Sequence, residues 1–311
     1  MPCYKPLAAY RYAIVGKASK IAFLKSGETI PTKAEYLRIP CGQCTGCRLD
    51  HSKMWASRCM HESRLHDHNC FITLTYNDQN LPPDQGLRKG HFQLFMKRLR
   101  KYANKPGIKY LHAGEYGETK RPHYHACLFG FDLPDKRFFK ENDQGDIIYT
   151  SGILDLLWGK GFSTVGDLTW QSAAYTARYS LKKLNGEKAN QADPVTGLLH
   201  YERTHLHTGE ITPVIPEYAT QSRNPGLGKG FLEEYMDDIY PWDEVIVDGH
   251  AIRPPRYYDN IYEIENEIEM EEIRKRRIKT MEKYVQDNTR ARLRTKEAVK
   301  IAQTKLLKRE L

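Results

Sequence analysis

The sequence predicts an α+β domain, an antiparallel sheet flanked by helices, and three observations lead there. Strand-like runs at CFITLTY (70–76), KYLHAGEYG (109–117) and PHYHACLFGF (122–131) are interspersed with helical stretches. The second and third runs are joined by YGETKRP, seven polar residues, too short for a parallel crossover and right for a hairpin. The segment between the first and second runs has Phe92, Phe95, Met96 and Leu99 at helical spacing, one apolar face to lay on a sheet.

Taken in order, residues 1–50 read as an irregular, Cys-rich segment punctuated by Pro and Gly. Residues 51–190 read as the core. Within it Ser52 to about Asp67 is a helix with Ser52 as N-cap, the first strand is closed by the turn-rich NDQNLPPDQG, and the basic helix and the hairpin follow. After an irregular stretch to about Thr150 come ILDLLWGKG and a helix through AAYTARYSLKK. Residues 191–260 are expected as a loop-rich extension on the core, and 261–311 as a charged helical tail. That tail opens acidic (Glu263 to Glu272) and carries fourteen Lys or Arg from Arg274 to Arg309.

With 40% apolar and 28% charged residues and no apolar run near 18, the chain predicts no membrane span. MPCYKPLAAY lacks the charged-then-apolar pattern of an export signal. A net charge of +9 with pI near 9.0 predicts a polyanionic partner. The eight Lys or Arg and no acid from Arg88 to Lys109 place that contact, as an expectation, on the outer face of the basic helix.

Seven cysteines without an export signal suggest thiol chemistry rather than disulfides. Cys41, Cys44 and Cys47 in CGQCTGC have a spacing that lets thiolates converge on a tetrahedral Zn²⁺, with Cys3 the first choice as fourth ligand and His51 and Cys59 behind it. Free buried thiols are the alternative. Cys70 and Cys127 fall in apolar strands and read as core.

Alternate residues of a strand share a face, so His123 and His125 project together while Tyr124 points away. A symmetric hairpin sets Glu115 opposite His123. Two imidazoles and a carboxylate suit a divalent cation with open positions, Mg²⁺ or Mn²⁺. His112 is a rival third ligand, and Glu118 falls in the turn. On the later helix Tyr175, Tyr179 and Lys183 form one stripe with Lys182 beside it. A phenol is a weak nucleophile, which a metal on the phosphate and a cation near the phenolate would both help. A lone His-x-His more often hydrogen-bonds inside a sheet and a single Tyr more often packs in a core; the two motifs together favour catalysis.

The ordered set FITLTY (71–76), GEYGETKRPHYH (114–125) and YTARYSLKK (175–183) resembles the three motifs of rolling-circle replication initiators of the HUH endonuclease superfamily. The paired tyrosines are similar to those of the microviruses. CGQCTGCRLDHSKMWASRCMHE, TQSRNPGLGKGF and RPPRYYD resemble the gokushovirus branch. The resemblance spans roughly residues 1–260. It implies a ferredoxin-like or RRM-like fold, His123 and His125 with Glu115 as metal ligands, and a tyrosine that cleaves single-stranded DNA to leave a 5′-phosphotyrosine and a priming 3′-hydroxyl. Tyr175 and Tyr179 would alternate as nucleophiles, with Lys182 or Lys183 stabilising charge. Single-stranded and supercoiled double-stranded origin DNA, a host helicase and a host DNA polymerase are the implied partners, in the bacterial host cytoplasm.

GLGKG at 226–230 lacks the GxxxxGK[ST] spacing of a phosphate loop. Three alternatives stay open at this stage. The same chemistry could serve plasmid mobilisation or transposition. The chain could be a non-catalytic zinc-containing single-strand binder. Two histidines and a carboxylate could also hold Fe(II) for an oxygenase.

Overall fold

The structure, a computed structural model, describes residues 3–12, 20–25, 27–179, 189–247 and 249–305, with the backbone alone at Tyr179 and Lys305. Two compact units emerge, Ser52–Glu267 and a smaller one of Met1–His51 with Ile268–Arg309.

In the smaller unit strands β1 (Leu7–Tyr12), β2 (Ala22–Phe23) and β3 (Ala34–Ile39) make an antiparallel sheet in the order β2-β1-β3. Helix α1 (Thr45–Ser63) begins inside the Cys-rich motif, seven residues before the expected start at Ser52. A helix once nucleated propagates through a single Gly46, because one glycine costs only about 1 kcal/mol. Ser52 is no cap; its hydroxyl donates to the Ala174 carbonyl at 2.9 Å.

The larger unit is built on strands β4 (Asn69–Thr75), β5 (Lys109–Tyr116), β6 (Pro122–Phe129), β7 (Arg137–Glu141), β8 (Ile147–Thr150) and β9 (Ser163–Gly166). Helix α2 (Lys89–Tyr102) lies between β4 and β5, α3 (Gly152–Trp158) between β8 and β9, and α4 (Trp170–Tyr179) follows β9. A small hairpin of β10 (Glu202–Thr204) and β11 (Ile211–Pro213) precedes β12 (Tyr218–Gln221). The seven-stranded sheet runs β12-β5-β6-β4-β9-β8-β7, every neighbour antiparallel. Helix α5 (Lys229–Trp242), the hairpin β13 (Val245–Val247) with β14 (His250–Ile252), and α6 (Arg256–Glu265) follow. Helices α7 (Glu267–Glu282) and α8 (Arg290–Lys305) complete the described chain. No helix among the described residues is long and apolar enough to cross a membrane.

Strand alternation gives the sheet two different faces. On one, Ile72, Leu74, Tyr124, Ala126 and Leu128 pack under Phe92, Phe95, Met96 and Leu99 of α2 and Leu154, Leu157 and Trp158 of α3. On the other, Phe71, Leu111, Cys127 and Phe129 meet Ala56 and Cys59 of α1 and Ala173, Ala174 and Ala177 of α4. The small alanine side chains let α4 approach the strands closely.

Lys89, Lys97 and Lys101 of the basic helix are exposed, while other cations of the same segment also bond within the fold. Arg98 donates to the Leu157 and Trp158 carbonyls at 2.7 and 2.9 Å, Arg100 to Ile108 at 2.7 Å, and Lys105 to Gly130 at 2.9 Å. Lys109 pairs with buried Glu62 at 2.8 Å. Arg98, Arg100 and Lys105 satisfy carbonyls that the ends of elements leave unpaired.

Gly161, at φ 153°, lies against the backbone of β4, where any Cβ would run into Thr75 O and Asn77 N. We expect Gly161→Ala to destabilise the unit by more than about 2 kcal/mol in a denaturant melt, because both strain and overlap fall on backbone that cannot move aside.

Candidate active site

The β5–β6 hairpin builds the site. Its register pairs Glu115 with His123 and Ala113 with His125, so Glu115, His123 and His125 share one face. The turn is closed by Gly117 N–H to Arg121 O at 3.0 Å and Lys120 N–H to Gly117 O at 2.8 Å. His123 Nε2 lies 2.5 Å and His125 Nε2 3.1 Å from the same oxygen, Glu115 Oε1. The opposite ring nitrogens are anchored, His123 Nδ1 at 3.3 Å from Arg121 O and His125 Nδ1 at 3.0 Å from Thr73 Oγ1. Contact with Arg121 O fixes the His123 ring with Nε2 turned inward, the nitrogen a cation would use. Phe71 stacks on His125 at 5.7 Å.

Burial pushes the Glu115 carboxyl up, but hydrogen bonds from His123 and His125 outweigh it and hold the pKa down to about 2. A carboxylate ionised at neutral pH, with two imidazole nitrogens turned onto it and the three ligand atoms within 4.8 Å, fits a divalent cation. Thr73 is a positioning residue that the sequence reading missed; Thr73→Val should weaken Mn²⁺ binding by about 10- to 100-fold in calorimetric titration, the usual scale for such partners.

His112 is not a ligand. It lies on the opposite face, stacked on Phe92 at 3.5 Å and bonded through Nδ1 to Thr220 at 2.9 Å. Alternation of the strand puts residues 112 and 115 on opposite sides.

Helix α4 is started by Thr169, whose hydroxyl accepts from Ser172 N at 3.1 Å while Ser172 Oγ accepts from Thr169 N at 2.9 Å. This sets the helix along the site. The Tyr175 ring stands edge-on to His125 with centroids 5.2 Å apart. Arg178, half-buried one turn later, interacts electrostatically with Tyr175; the sequence reading passed over it in favour of the two lysines. Tyr179 is the last residue of α4, and its side chain, with Lys182 and Lys183, lies outside the described residues.

The second cluster lies in the smaller unit. The sulfurs of Cys3, Cys41, Cys44 and Cys47 all fall within 4.8 Å of one another. Cys3 Sγ is 3.6 Å from Cys41 Sγ and 3.8 Å from Cys44 Sγ. Backbone N–H groups point at them: Tyr4 to Cys44 Sγ, Cys41 to Cys3 Sγ and Cys44 to Cys41 Sγ, each at 3.3 Å. Cys59 is buried among Phe71 and Cys127 instead, and the cluster does not include His51. The arrangement is compatible with a metal.

The GLGKG segment serves packing. Gly228 N–H donates to Glu62 Oε2 at 2.8 Å, and a Cβ at Gly226 or Gly228 would strike Tyr257 or Tyr258.

A replication-associated protein is what this fold and site define on comparison, since the family described as replication-associated protein ORF2/G2P matches residues 69–184. Curated relatives narrow this. The chain is 35% identical over 240 residues to replication-associated protein ORF2 of Spiroplasma virus 4, covering 73% of this chain and 68% of that protein. It is 31% identical over 271 residues to replication-associated protein VP4 of Bdellovibrio phage phiMH2K, covering 84% and 77%. Replication-associated protein ORF4 of Chlamydia phage 1 is 35% identical over 232 residues, covering 72% and 53%. The chain belongs to the replication-associated proteins of the microviruses. No solved structure matches it.

Proposed function

We propose that this protein is a metal-dependent, site-specific endonuclease and strand transferase for single-stranded DNA that starts and ends phage rolling-circle replication through 5′-phosphotyrosine links. One observation carries the reading: Tyr175 stands 5.2 Å from His125, and His125 with His123 turns Nε2 onto one oxygen of Glu115. The order β4–α2–β5–β6–α3–β9, with strands side by side as β5-β6-β4-β9, follows the split β-α-β pattern of ferredoxin-like folds and supports the HUH assignment. Relatives that are all phage replication proteins favour replication over plasmid mobilisation or transposition.

Mg²⁺ or Mn²⁺ held by His123, His125 and Glu115 would neutralise phosphate oxygens and make the phosphorus more electrophilic. The Tyr175 phenolic oxygen attacks that phosphorus. A P–O(Tyr) bond forms, the P–O3′ bond breaks, the leaving 3′-oxygen takes up a proton and the phenolic proton passes to solvent. Arg178 favours the phenolate. Tyr179, four residues on, supplies the second nucleophile, and Lys182 and Lys183 are assigned to charge stabilisation. Each step exchanges one phosphodiester for another, so rejoining needs no nucleotide. Unwinding and synthesis fall to a host helicase and polymerase.

The test is a denaturing gel of labelled single-stranded origin DNA incubated with protein and Mn²⁺. We expect a protein-linked band that survives Tyr175→Phe or Tyr179→Phe alone and disappears in the double variant and with EDTA. A band that persists in the double variant contradicts the reading.

We further infer that Cys3, Cys41, Cys44 and Cys47 bind a structural Zn²⁺. Tetrahedral Zn–S bonds of about 2.3 Å put sulfurs about 3.8 Å apart, against 3.6 and 3.8 Å here. Burial raises the Cys44 thiol, but N–H donors from Cys47 and Tyr4 outweigh it and hold the pKa down to about 7. Purified protein should hold one zinc per chain by atomic emission, and Cys44→Ser should release it and cause the smaller unit to melt first.

A further inference from the structure

Beside the Glu115, His123 and His125 group the same sheet face continues across β9, β8 and β7, and there it carries exposed aromatic rings. Thr75, the β4 partner of His123, donates its N–H and hydroxyl to Phe162 O at 3.0 and 2.7 Å. Phe162 therefore stands two strand spacings from His123, about 10 Å away. Ser163 pairs with Leu74 on the opposite face, so Phe162 points to the side of the histidines.

A bulge between Phe138 and Lys140 turns Phe139 to that side as well, where its ring meets Phe162 with centroids 5.5 Å apart. Both rings are 48% exposed. Arg137, opposite Thr150, and Lys140, opposite Ile148, fall on this face by register, and both are exposed. The nearby acid Glu141 pairs with Ile147 and falls on the other face. Phe138, 67% exposed, pairs with Tyr149, which packs against the opposite core.

Two solvent-facing rings flanked by cations, on a strand surface running into a phosphate-cleaving site, are what a single nucleic-acid strand uses: bases on the rings, phosphates on the cations. We propose that Phe139 and Phe162 form a base-stacking platform, with Arg137 and Lys140 along its backbone track, that holds the single strand flanking the scissile phosphate. The proposal rests on the single-stranded DNA reading above and adds where the strand lies.

Binding of a fluorescein-labelled oligothymidylate of about 20 nucleotides, followed by anisotropy in EDTA so that no cleavage occurs, tests it. The double variant F139A/F162A should bind about 10- to 100-fold more weakly, with an unchanged slope of affinity on salt, because stacking contributes without releasing counterions. F139Y/F162Y should bind as wild type, and F138A, on the other face, should change nothing. R137A/K140A should lower the salt slope by about 1 to 2. Unchanged affinity in F139A/F162A, equal weakening by F138A, or no wild-type binding of the strand would overturn the platform. Failure of the nuclease reading looks different: wild type would form no adduct with Mn²⁺ while the stacking effect in EDTA persisted.

Discussion

Glu115→Ala should abolish metal-dependent adduct formation, a loss of at least about 10²- to 10³-fold, the scale on which one preorganised electrostatic contact at a reacting phosphate is felt. Among the described residues Glu115 supplies the only carboxylate within the histidine group, and without it two imidazoles hold Mg²⁺ poorly, because that ion favours oxygen. Calorimetry should show Mn²⁺ binding lost in parallel, whereas binding of the oligothymidylate in EDTA should be retained. The carboxylate also makes a pH prediction. Its pKa in the folded, metal-free protein is about 2, below the ordinary 4.5. A depressed carboxylate stabilises above its ordinary value, and that stabilisation is lost as pH falls through the interval from about 4.5 to about 2. Glu115→Gln should flatten this part of the acid melting curve. An unchanged curve would show that the hydrogen bonds from the two histidines contribute nothing.

Glu62→Ala should be the most destabilising single change in the larger unit, about 3–5 kcal/mol, as expected when one partner of a buried ion pair is removed. Glu62 is fully buried and joins three elements: Lys109 at 2.8 Å, His66 at 2.9 Å, and the N–H of Gly228 at 2.8 Å. Its pKa is lowered because bonds from Lys109, Gly228 and His66 outweigh desolvation. Truncation leaves a Lys109 ammonium and a backbone N–H at the start of α5 without their acceptor. For a unit of this size each kcal/mol shifts the midpoint by about 2–4 °C, so a drop of roughly 10 °C in a thermal melt is expected. A drop under 2 °C would mean that water replaces the carboxylate.

The hairpin was legible because its information is local. Seven loop residues set the register, and the two-residue alternation put His123 and His125 on one face and Tyr124 on the other. The rejection of His112 follows from the same alternation, a signal present in the sequence but not applied to it. Other parts depend on distant partners. Strand β12 joins the sheet beside β5 from more than a hundred residues away, and nothing in YATQ marks it as sheet. RFFKE and IIYT, embedded among Asp, Asn and Gly, read as irregular, yet they form the edge strand β7 and its neighbour β8. The basic helix shows the limit most plainly. Arg98, Arg100 and Lys105 read in the sequence only as a cationic row, and the carbonyls of Leu157, Ile108 and Gly130 that they also cap come from elsewhere in the fold. The charged tail likewise reads as solvated. In the smaller unit, however, Leu293 of α8 is buried against Tyr4 and Cys44, and Lys5 pairs with Glu297 at 3.2 Å.

Tyr175 is the proposed nucleophile for DNA at the Glu115, His123 and His125 site. The most direct measurement is mass spectrometry of the wild-type adduct formed with Mn²⁺ and single-stranded origin DNA, trimmed with nuclease and digested with a protease. The account predicts a 5′-phosphodiester-linked nucleotide on the Tyr175 peptide, replaced by a link at Tyr179 alone in Tyr175→Phe and absent when EDTA is present. A link at any other residue, or none in a protein that binds both the metal and the strand, would contradict it.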